Sequence, residues 1–183
     1  MHDSRRRDVL KSMAVAAASA LVGFVPGADA EDRTLRSRAL MTVRIIAAPP
    51  QTFGRVPHGS RSFVPVAGGS FEGERLRGRV VPGGGDWLLL RPDGVLELDL
   101  RITLETDDHA LIYMTFQGLR HGPPDVIEAL GQGKSVDPAR YYFRTLPRFE
   151  ASAERYAFLN RIIAVGSGEA RPDGAIHRIE EIL

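Results

Sequence analysis

The segment from Val95 to Glu105 constrains the fold more than any other part of the sequence. Its apolar positions alternate strictly with its polar ones. The apolar positions are Leu96, Leu98, Leu100, Ile102 and Leu104, and the polar ones are Glu97, Asp99, Arg101, Thr103 and Glu105. Because successive side chains of a β-strand point to opposite faces, this pattern predicts a two-faced strand about eleven residues long.

Short apolar runs of the same kind recur at roughly ten-residue spacing and are separated by Gly and Pro. They cover residues 40–47, 61–66, 70–81, 87–91, 95–106, 110–119, 156–165 and 175–182. This spacing is typical of an antiparallel sandwich or barrel. We predict an all-β fold, an antiparallel β-barrel of about eight strands, with one short helical insertion at residues 124–130. The run 156–165 also fits a helical stripe, so both interpretations stay open for it.

A tight hairpin is expected at Arg91-Pro92-Asp93-Gly94, because proline presets φ for the first turn position and glycine supplies the positive φ. Pairing outward from this turn places Trp87 opposite Asp99, with Arg101 diagonal to the tryptophan.

A second hairpin is expected at Asp107-Asp108. With a two-residue loop, Arg101 pairs with Met114, and Phe116 pairs with Asp99. The polar face of the long strand is then flanked by Trp87, Ile112, Met114 and Phe116. This arrangement predicts a ligand-binding lumen with a few placed polar groups, and it depends on register, since a one-residue slip moves the whole set to the other face.

The N-terminal thirty residues predict export. Arg6-Arg7 precedes an uncharged apolar run at residues 13–25, and Ala28-Asp29-Ala30 gives the small-x-small pattern of a cleavage site. The run is shorter than the roughly 20 residues that span a bilayer. We therefore predict a twin-arginine signal at 1–30, a flexible leader at 31–38 and a single domain at 39–183, located in the periplasm or secreted, with no membrane attachment after cleavage.

Charge and cysteine content exclude several classes of function. Removing residues 1–30 takes away four of the 24 basic and three of the 23 acidic residues, which leaves 20 of each. A neutral balance argues against a nucleic-acid or anionic-membrane partner. The absence of cysteine removes disulfides, thiol catalysis and thiolate metal sites.

Several ordered motifs carry a family resemblance. They are Gly59-Ser60-Arg61, Val64-Pro65-Val66-Ala67-Gly68-Gly69, Phe71-Glu72-Gly73, residues 78–87 (GRVVPGGGDW), Arg91-Pro92-Asp93-Gly94, Tyr141-Tyr142-Phe143-Arg144, Pro147-Arg148-Phe149-Glu150 and Tyr156-Ala157-Phe158-Leu159-Asn160. From about Leu40 to the C-terminus the chain resembles the bacterial and fungal family called domain of unknown function 3237. The resemblance implies an antiparallel β-barrel that tends to self-associate, with no assigned general activity. Where the family usually has Asp-Gly-Ala in the second hairpin, this chain has Asp108-His109-Ala110.

Candidate site residues follow from the predicted lumen. Asp86-Trp87 comes after three glycines, so it presents either a carboxylate and an aromatic platform to a ligand, or a turn-capping Asp and a core tryptophan. Arg101 beside Asp99 either clamps a ligand carboxylate or forms a cross-strand ion pair on a wet face.

Further candidates come from a Pro-containing connection that we expect between strands. Tyr142, Arg144 and Glu150 offer a phenol, a guanidinium and a carboxylate for acid–base work, or else a cap and solvated charges at the barrel mouth. Tyr156 and Asn160 offer a proton donor and an amide, although side-chain-to-backbone bonds fit them better. The histidines at 58, 109, 121 and 177 lack metal-ligand spacing, so neither a metal nor a cofactor is predicted.

Two function hypotheses result. In the first, the barrel binds a small acidic or aromatic molecule, with or without cofactor-free lyase, isomerase or cyclase chemistry. Trp87 stacks on the ligand, Arg101 and Arg144 hold its oxygen, and Asp86, Tyr142 or Glu150 moves a proton. The ligand pocket is completed by Asp99, Met114, Phe116 and Asn160. In the second, the chain is a non-catalytic oligomeric assembly or interaction module whose barrel is packed solid, and a homo-oligomer is expected.

Overall fold

A computed structural model describes residues 34–183 of the chain, and the predicted signal at 1–30 lies outside them. The strands are β1 (Ser37–Ala47), β2 (Gln51–Val56), β3 (Gly59–Glu72), β4 (Arg77–Val80), β5 (Gly85–Leu90), β6 (Leu96–Thr106), β7 (Leu111–His121), β8 (Tyr142–Ala151), β9 (Ile163–Arg171) and β10 (Gly174–Ile182). One α-helix, α1 (Pro124–Gly131), and two 3-10 segments, Pro138–Arg140 and Glu154–Arg161, complete the described elements. No helix within 34–183 is long and apolar enough to cross a membrane.

The strands close into an antiparallel barrel with eight strand positions. Going round, the order is β1, β10, β9, β8, β7 and β6, then a position shared by β4 and β5, then β3, which pairs back onto β1. β2 pairs only with β3. It lies along the same edge of β3 as β1 does, beside residues 59–63 rather than 66–72. The predicted all-β barrel with a short helical insertion is confirmed.

β4 and β5 share one position because the chain loops out between them. Val80 pairs with Leu104 and Asp86 pairs with Leu100, so a step of six residues on one side matches a step of four on the other. Two extra residues leave the in–out alternation unchanged, and Asp86 therefore faces the lumen as Val80 does.

The apolar face of β6 points inward and fills much of the barrel. Leu100, Ile102 and Leu104 are at most 2 % exposed, and Ile112 and Met114 of β7 are fully buried beside them. The polar face of β6 points outward. The 3-10 segment 154–161 adds the buried side chains of Tyr156 and Leu159 to this core.

Two predicted segments differ from the structure. Residues 142–151 form a strand, β8, rather than a connection, and residues 156–165 divide into a 3-10 segment and the start of β9. Pro147 fits inside β8 because the ladder between β8 and β9 covers only Arg144 and Thr145. Ser37 and Arg38, which the sequence placed at the end of a flexible leader, already pair with β10.

Candidate functional site in the barrel lumen

The half of the lumen away from Tyr156 contains a cavity of about 150 Å³. Most of its lining is aliphatic or aromatic, including Ile45, Val64, Leu88, Leu96, Leu98, Phe116 and Phe143. Only three of its lining residues have ionisable side chains: Asp86 on β5, Arg120 on β7 and His177 on β10. An apolar cavity with a few convergent polar groups is the usual form of a small-molecule site.

Two glycines position the acidic group. Gly84 has φ +69°, and a Cβ placed on it would lie 2.1 Å from the carbonyl oxygen of Arg101. A Cβ on Gly85 would lie 2.3 Å from the Phe63 ring. Since only glycine permits both approaches, the triple-glycine run lets β5 begin tightly packed between β3 and β6.

The Asp86 carboxyl group lies against β6 and faces the cavity. Its Oδ1 accepts a hydrogen bond of 2.9 Å from the backbone N–H of Asp99. Burial raises the pKa of Asp86 to about 7, and the nearby Asp99 charge adds to the rise. The Asp99 N–H and the Arg120 charge act in the opposite direction. Asp86 is therefore near half-ionisation at neutral pH, as a proton-transfer group requires.

Arg120 brings a positive charge into the same cavity without a carboxylate partner. Within residues 34–183, no carboxylate oxygen lies within 4.0 Å of its guanidinium and no hydrogen bond to it is present. Its guanidinium carbon lies 5.7 Å from the centre of the Phe143 ring. Burial lowers the pKa of Arg120, and electrostatic interactions with Tyr141 and Asp86 partly offset that effect. A guanidinium in this position can donate two parallel hydrogen bonds to a carboxylate of a ligand.

His177 forms part of the facing wall and is 1 % exposed. Its ring centre lies 4.8 Å from that of Phe116 and 5.2 Å from that of Phe143. Burial lowers the pKa of His177 to about 4, so the imidazole is neutral at physiological pH.

The predicted register between β6 and β7 is wrong. Arg101 pairs with Thr115 rather than Met114, and Asp99 pairs with Gln117 rather than Phe116. The loop has three residues instead of two, because the N–H of Thr106 bonds to the oxygen of Ala110 and His109 takes φ +64°. The extra residue moves every side chain of β7 to the opposite face relative to β6.

This correction places most of the predicted site outside the barrel. Asp99 and Arg101 form an ion pair at 3.2 Å on the outer face, with 37 % and 55 % of their side chains exposed. The predicted register between β5 and β6 is correct, so Trp87 lies on the same face as Asp99, but that face points out of the barrel. The indole packs against the rings of Phe63 and Phe53. Of the predicted residues only Asp86 and Phe116 line the cavity, and Met114 is fully buried in the core.

The candidates from β8 and the following segment also lie outside the lumen. Tyr142, Arg144 and Glu150 are exposed, because the inward positions of β8 are the odd-numbered ones. Asn160 donates to the oxygen and accepts from the N–H of Ala151, each at 2.8 Å. That pair of bonds joins the 3-10 segment to the end of β8.

Four of the predicted residues nevertheless meet, in a groove on the outer surface. We call it the outer groove, and it includes Trp87, Asp99, Tyr142 and Arg144 together with Arg61, Glu97, Gln117, Leu119 and Leu146. Its aromatic and leucine side chains are 40–62 % exposed. It lies on the other side of the barrel wall from Asp86.

Arg120 and His177 were not among the site residues predicted from the sequence. The sequence does contain a signal for Arg120. The alternation of β7 places Arg120 on the same face as Met114, Phe116 and Gly118. The same holds for His177, which shares one face of β10 with Ala175 and Ile179. Recognising either residue requires knowing which face is inside. Within the described part of the chain, no three His, Asp or Glu side chains form a metal-binding group.

A family model described as "Protein of unknown function (DUF3237)" matches residues 36–182. The chain belongs to the DUF3237 family. The UPF0311 protein RPA1785 from Rhodopseudomonas palustris is 33 % identical over 150 residues, which is 82 % of this chain and 98 % of that protein. The UPF0311 protein CA_C3321 from Clostridium acetobutylicum is 37 % identical over 124 residues, covering 68 % of this chain and 78 % of that protein. The resemblance predicted from the motifs is confirmed.

Solved structures agree with the DUF3237 assignment. The crystal structure of RPA1785 aligns with a TM-score of 0.80 over 82 % of this chain and 99 % of its own, at 33 % identity. A β-barrel-like protein from Acinetobacter baumannii aligns with a TM-score of 0.72 at 36 % identity, over 81 % and 96 % of the two chains. A protein from Penicillium herquei described as an enzyme aligns with a TM-score of 0.62 over 81 % and 95 %, at 18 % identity, which establishes a shared fold only.

Proposed function

We propose that the barrel lumen binds a small organic molecule with an acidic oxygen, an aromatic ring or both, and that the chain does so after export, as residues 1–30 predict. The observation that carries the proposal is the guanidinium of Arg120, which opens onto an apolar cavity with no carboxylate within 4.0 Å among residues 34–183. A partly buried cation with no hydrogen-bond or carboxylate partner among residues 34–183 is costly, and an anionic ligand group offsets that cost.

The dimensions of the cavity limit the ligand. A volume of about 150 Å³ is on the order of what one benzene ring needs. Leucine, valine and phenylalanine side chains form the wall, so the body of the ligand is apolar. These features favour a monocyclic aromatic acid, a phenol or a compact aliphatic acid over a sugar or a nucleotide.

Asp86 gives the site its capacity for chemistry. A carboxyl group with a pKa of about 7 can accept or donate a proton at neutral pH. Together with Arg120, which stabilises negative charge on a ligand oxygen, it supports a lyase, isomerase or cyclase reaction without a cofactor. Arg120 thus takes the role that the sequence suggested for Arg101 and Arg144.

Two arginines provide a matched test. Arg120→Gln removes the lumen cation, and Arg101→Gln removes an exposed cation on the outer face. The ligands are benzoate, 4-hydroxybenzoate, phenol and cyclohexanecarboxylate, measured by thermal shift and calorimetry. We expect at least one acid to bind, with a roughly tenfold to hundredfold loss of affinity in Arg120→Gln and no change in Arg101→Gln, because a hydrogen bond to a charged group contributes about 1.5–3 kcal/mol.

Equal weakening in both variants would place the ligand outside the lumen. Absence of binding by all four compounds would reject the lumen as a site for this class of ligand.

The outer groove supports a second candidate function, assembly with another copy of this chain. Trp, Tyr and Arg are the residues most enriched at interaction hot spots, and all three lie there. Replacing Leu146, which is 62 % exposed, with Glu tests this candidate. If the groove is an interface, sedimentation will show a smaller species in Leu146→Glu than in the wild type; an unchanged species rejects it.

A further inference from the structure

His177 carries two ring nitrogens that the protein leaves without partners. Its Nδ1 is fully enclosed and has no hydrogen-bond partner. Among residues 34–183 no group hydrogen-bonds either nitrogen. Because Nδ1 is enclosed and the residue lines the cavity, Nε2 is the nitrogen through which the ring can meet a bound molecule.

The enclosed nitrogen also fixes which nitrogen carries the proton. A neutral imidazole has one N–H donor and one lone-pair acceptor. Burying an N–H without an acceptor is rarer and more costly than burying an unused lone pair. The proton therefore resides on Nε2, and His177 presents a donor to the cavity. Its low pKa keeps the ring in this neutral form.

The donor and the carboxyl group come from different sides of the lumen. Going round the barrel from β5, the strands β3 and β1 intervene before β10. Asp86 and His177 are thus three positions apart in an eight-position barrel, nearly across from each other. A ligand in the cavity between them meets a base on one side and a neutral hydrogen-bond donor on the other.

We propose that the lumen catalyses enolisation of a small ketone or aldehyde: Asp86 removes a proton from the carbon next to the carbonyl group, and the Nε2–H of His177 hydrogen-bonds the carbonyl oxygen. This inference rests on the proposed function, because it uses the same lumen, and it names the substrate class. Arg120 adds positive charge to the cavity in which the enolate forms. A carboxylate base combined with a neutral imidazole is an effective arrangement for proton transfer next to a carbonyl group.

The step balances without any additional reagent. The C–H bond breaks and its proton moves to the Asp86 carboxylate. The electron pair left behind forms a carbon–carbon double bond, and the carbonyl π electrons move to oxygen. In the second half, the Asp86 carboxylic acid returns a proton to the same carbon, or to another carbon conjugated with the enolate, which yields an isomer. Nothing is oxidised or reduced.

Hydrogen exchange in D₂O tests this step directly. Cyclohexanone and cyclopentanone are incubated with the protein at neutral pD, and deuterium uptake next to the carbonyl group is followed by NMR; binding is measured in parallel by thermal shift. We expect the protein to exchange at least one ketone faster than buffer does. Asp86→Asn should lose roughly 10²–10⁴-fold of that rate, as for loss of a general base, and still bind the ketone.

Variants of His177 separate its hydrogen bond from its packing. His177→Phe keeps a ring between Phe116 and Phe143 but removes the donor, and should lose roughly 10²–10³-fold in exchange rate. His177→Gln keeps an N–H and should recover part of the loss, which a purely structural role would not produce. The outer-face control Arg101→Gln should exchange at the wild-type rate.

Each outcome decides between the two proposals. Loss of exchange in Asp86→Asn and in His177→Phe, with binding retained, supports enolisation. A ketone that binds without accelerated exchange, or exchange that survives in either variant, overturns enolisation and leaves ligand binding intact. If organic acids bind but neither ketone does, enolisation also falls. If no compound binds, both proposals fall.

Discussion

Replacing Asp86 with asparagine should change how the free energy of unfolding depends on pH. The folded-state pKa of Asp86 is raised from 3.8 to about 7, so the folded protein holds this proton more tightly than the unfolded chain does. The stability that results is fully present below about pH 4 and is lost as pH rises through about 7. The substituted asparagine cannot titrate, yet its side-chain oxygen can still accept the Asp99 N–H.

The magnitude follows from linkage. A change from 3.8 to about 7 corresponds to about 4 kcal/mol in total, since one pKa unit is about 1.4 kcal/mol. Roughly 2–3 kcal/mol of this falls between pH 5 and pH 8. The stability of Asp86→Asn relative to the wild type should therefore rise by that amount over this range. The charge of Asp99 raises the pKa of Asp86 and the charge of Arg120 lowers it.

The test uses the difference in unfolding free energy between Asp86→Asn and the wild type, because the titration of His177 changes stability in the opposite direction. Its folded-state pKa is lowered from 6.5 to about 4, so the unfolded chain binds the proton more tightly and stability rises with pH across that interval. That rise is about 2 kcal/mol between pH 5 and pH 8, which nearly cancels the loss due to Asp86 in the wild-type curve. Both proteins contain His177, and subtraction removes its effect.

Urea unfolding at pH 5 and pH 8 provides the measurement, with far-UV circular dichroism and Trp87 fluorescence as probes. Glu97→Gln is the control, because Glu97 lies on the outer face and pairs with Arg91. A relative stability of Asp86→Asn that changes by less than about 0.5 kcal/mol between the two pH values, or that falls as pH rises, would refute the enclosed, proton-holding environment of Asp86.

Three further substitutions test the backbone and the core. His109→Gly should raise the unfolding free energy by about 0.5–1 kcal/mol, since His109 has φ +64° where glycine is unstrained; an unchanged or lower melting temperature would argue against strain there. Gly85→Ala should destabilise by about 1–3 kcal/mol in urea unfolding, because its Cβ would lie 2.3 Å from the Phe63 ring, and a neutral result would mean that the ring has room to move. Met114→Ala should cost about 2–5 kcal/mol by the same assay because Met114 is fully buried, and a loss below about 1 kcal/mol would indicate loose packing in the barrel.

Much of the fold could be predicted from local patterns. Strict alternation identified β6, and the turn chemistry of Pro92 and Gly94 led to the correct pairing of Leu89 with Glu97. The helix at residues 124–130 was also predicted within one residue of its observed end. β8 was missed, because Pro147 normally excludes a central strand and the short ladder to β9 removes that objection only in the folded barrel.

The register of β7 marks the limit of such reasoning. The two loop lengths differ only in which residue closes the turn onto Thr106, and in the structure that residue is Ala110. This difference decides whether Arg101 lies opposite Met114 or opposite Thr115. Prediction of a polar lumen depended on it. Burial of the leucine face is the stronger physical effect, and it turned the polar face of β6 outward.

Residues that are neighbours along the chain are enough to specify the alternating strands, the turns at fixed residues and the motifs of a barrel family. Tertiary structure alone decided which face became the inside. It also decided that Asp86, Arg120 and His177, which come from three strands far apart in sequence, line one cavity. Alternation gives each strand two faces, but only closure of the barrel assigns one of them to the lumen and leaves the other in water.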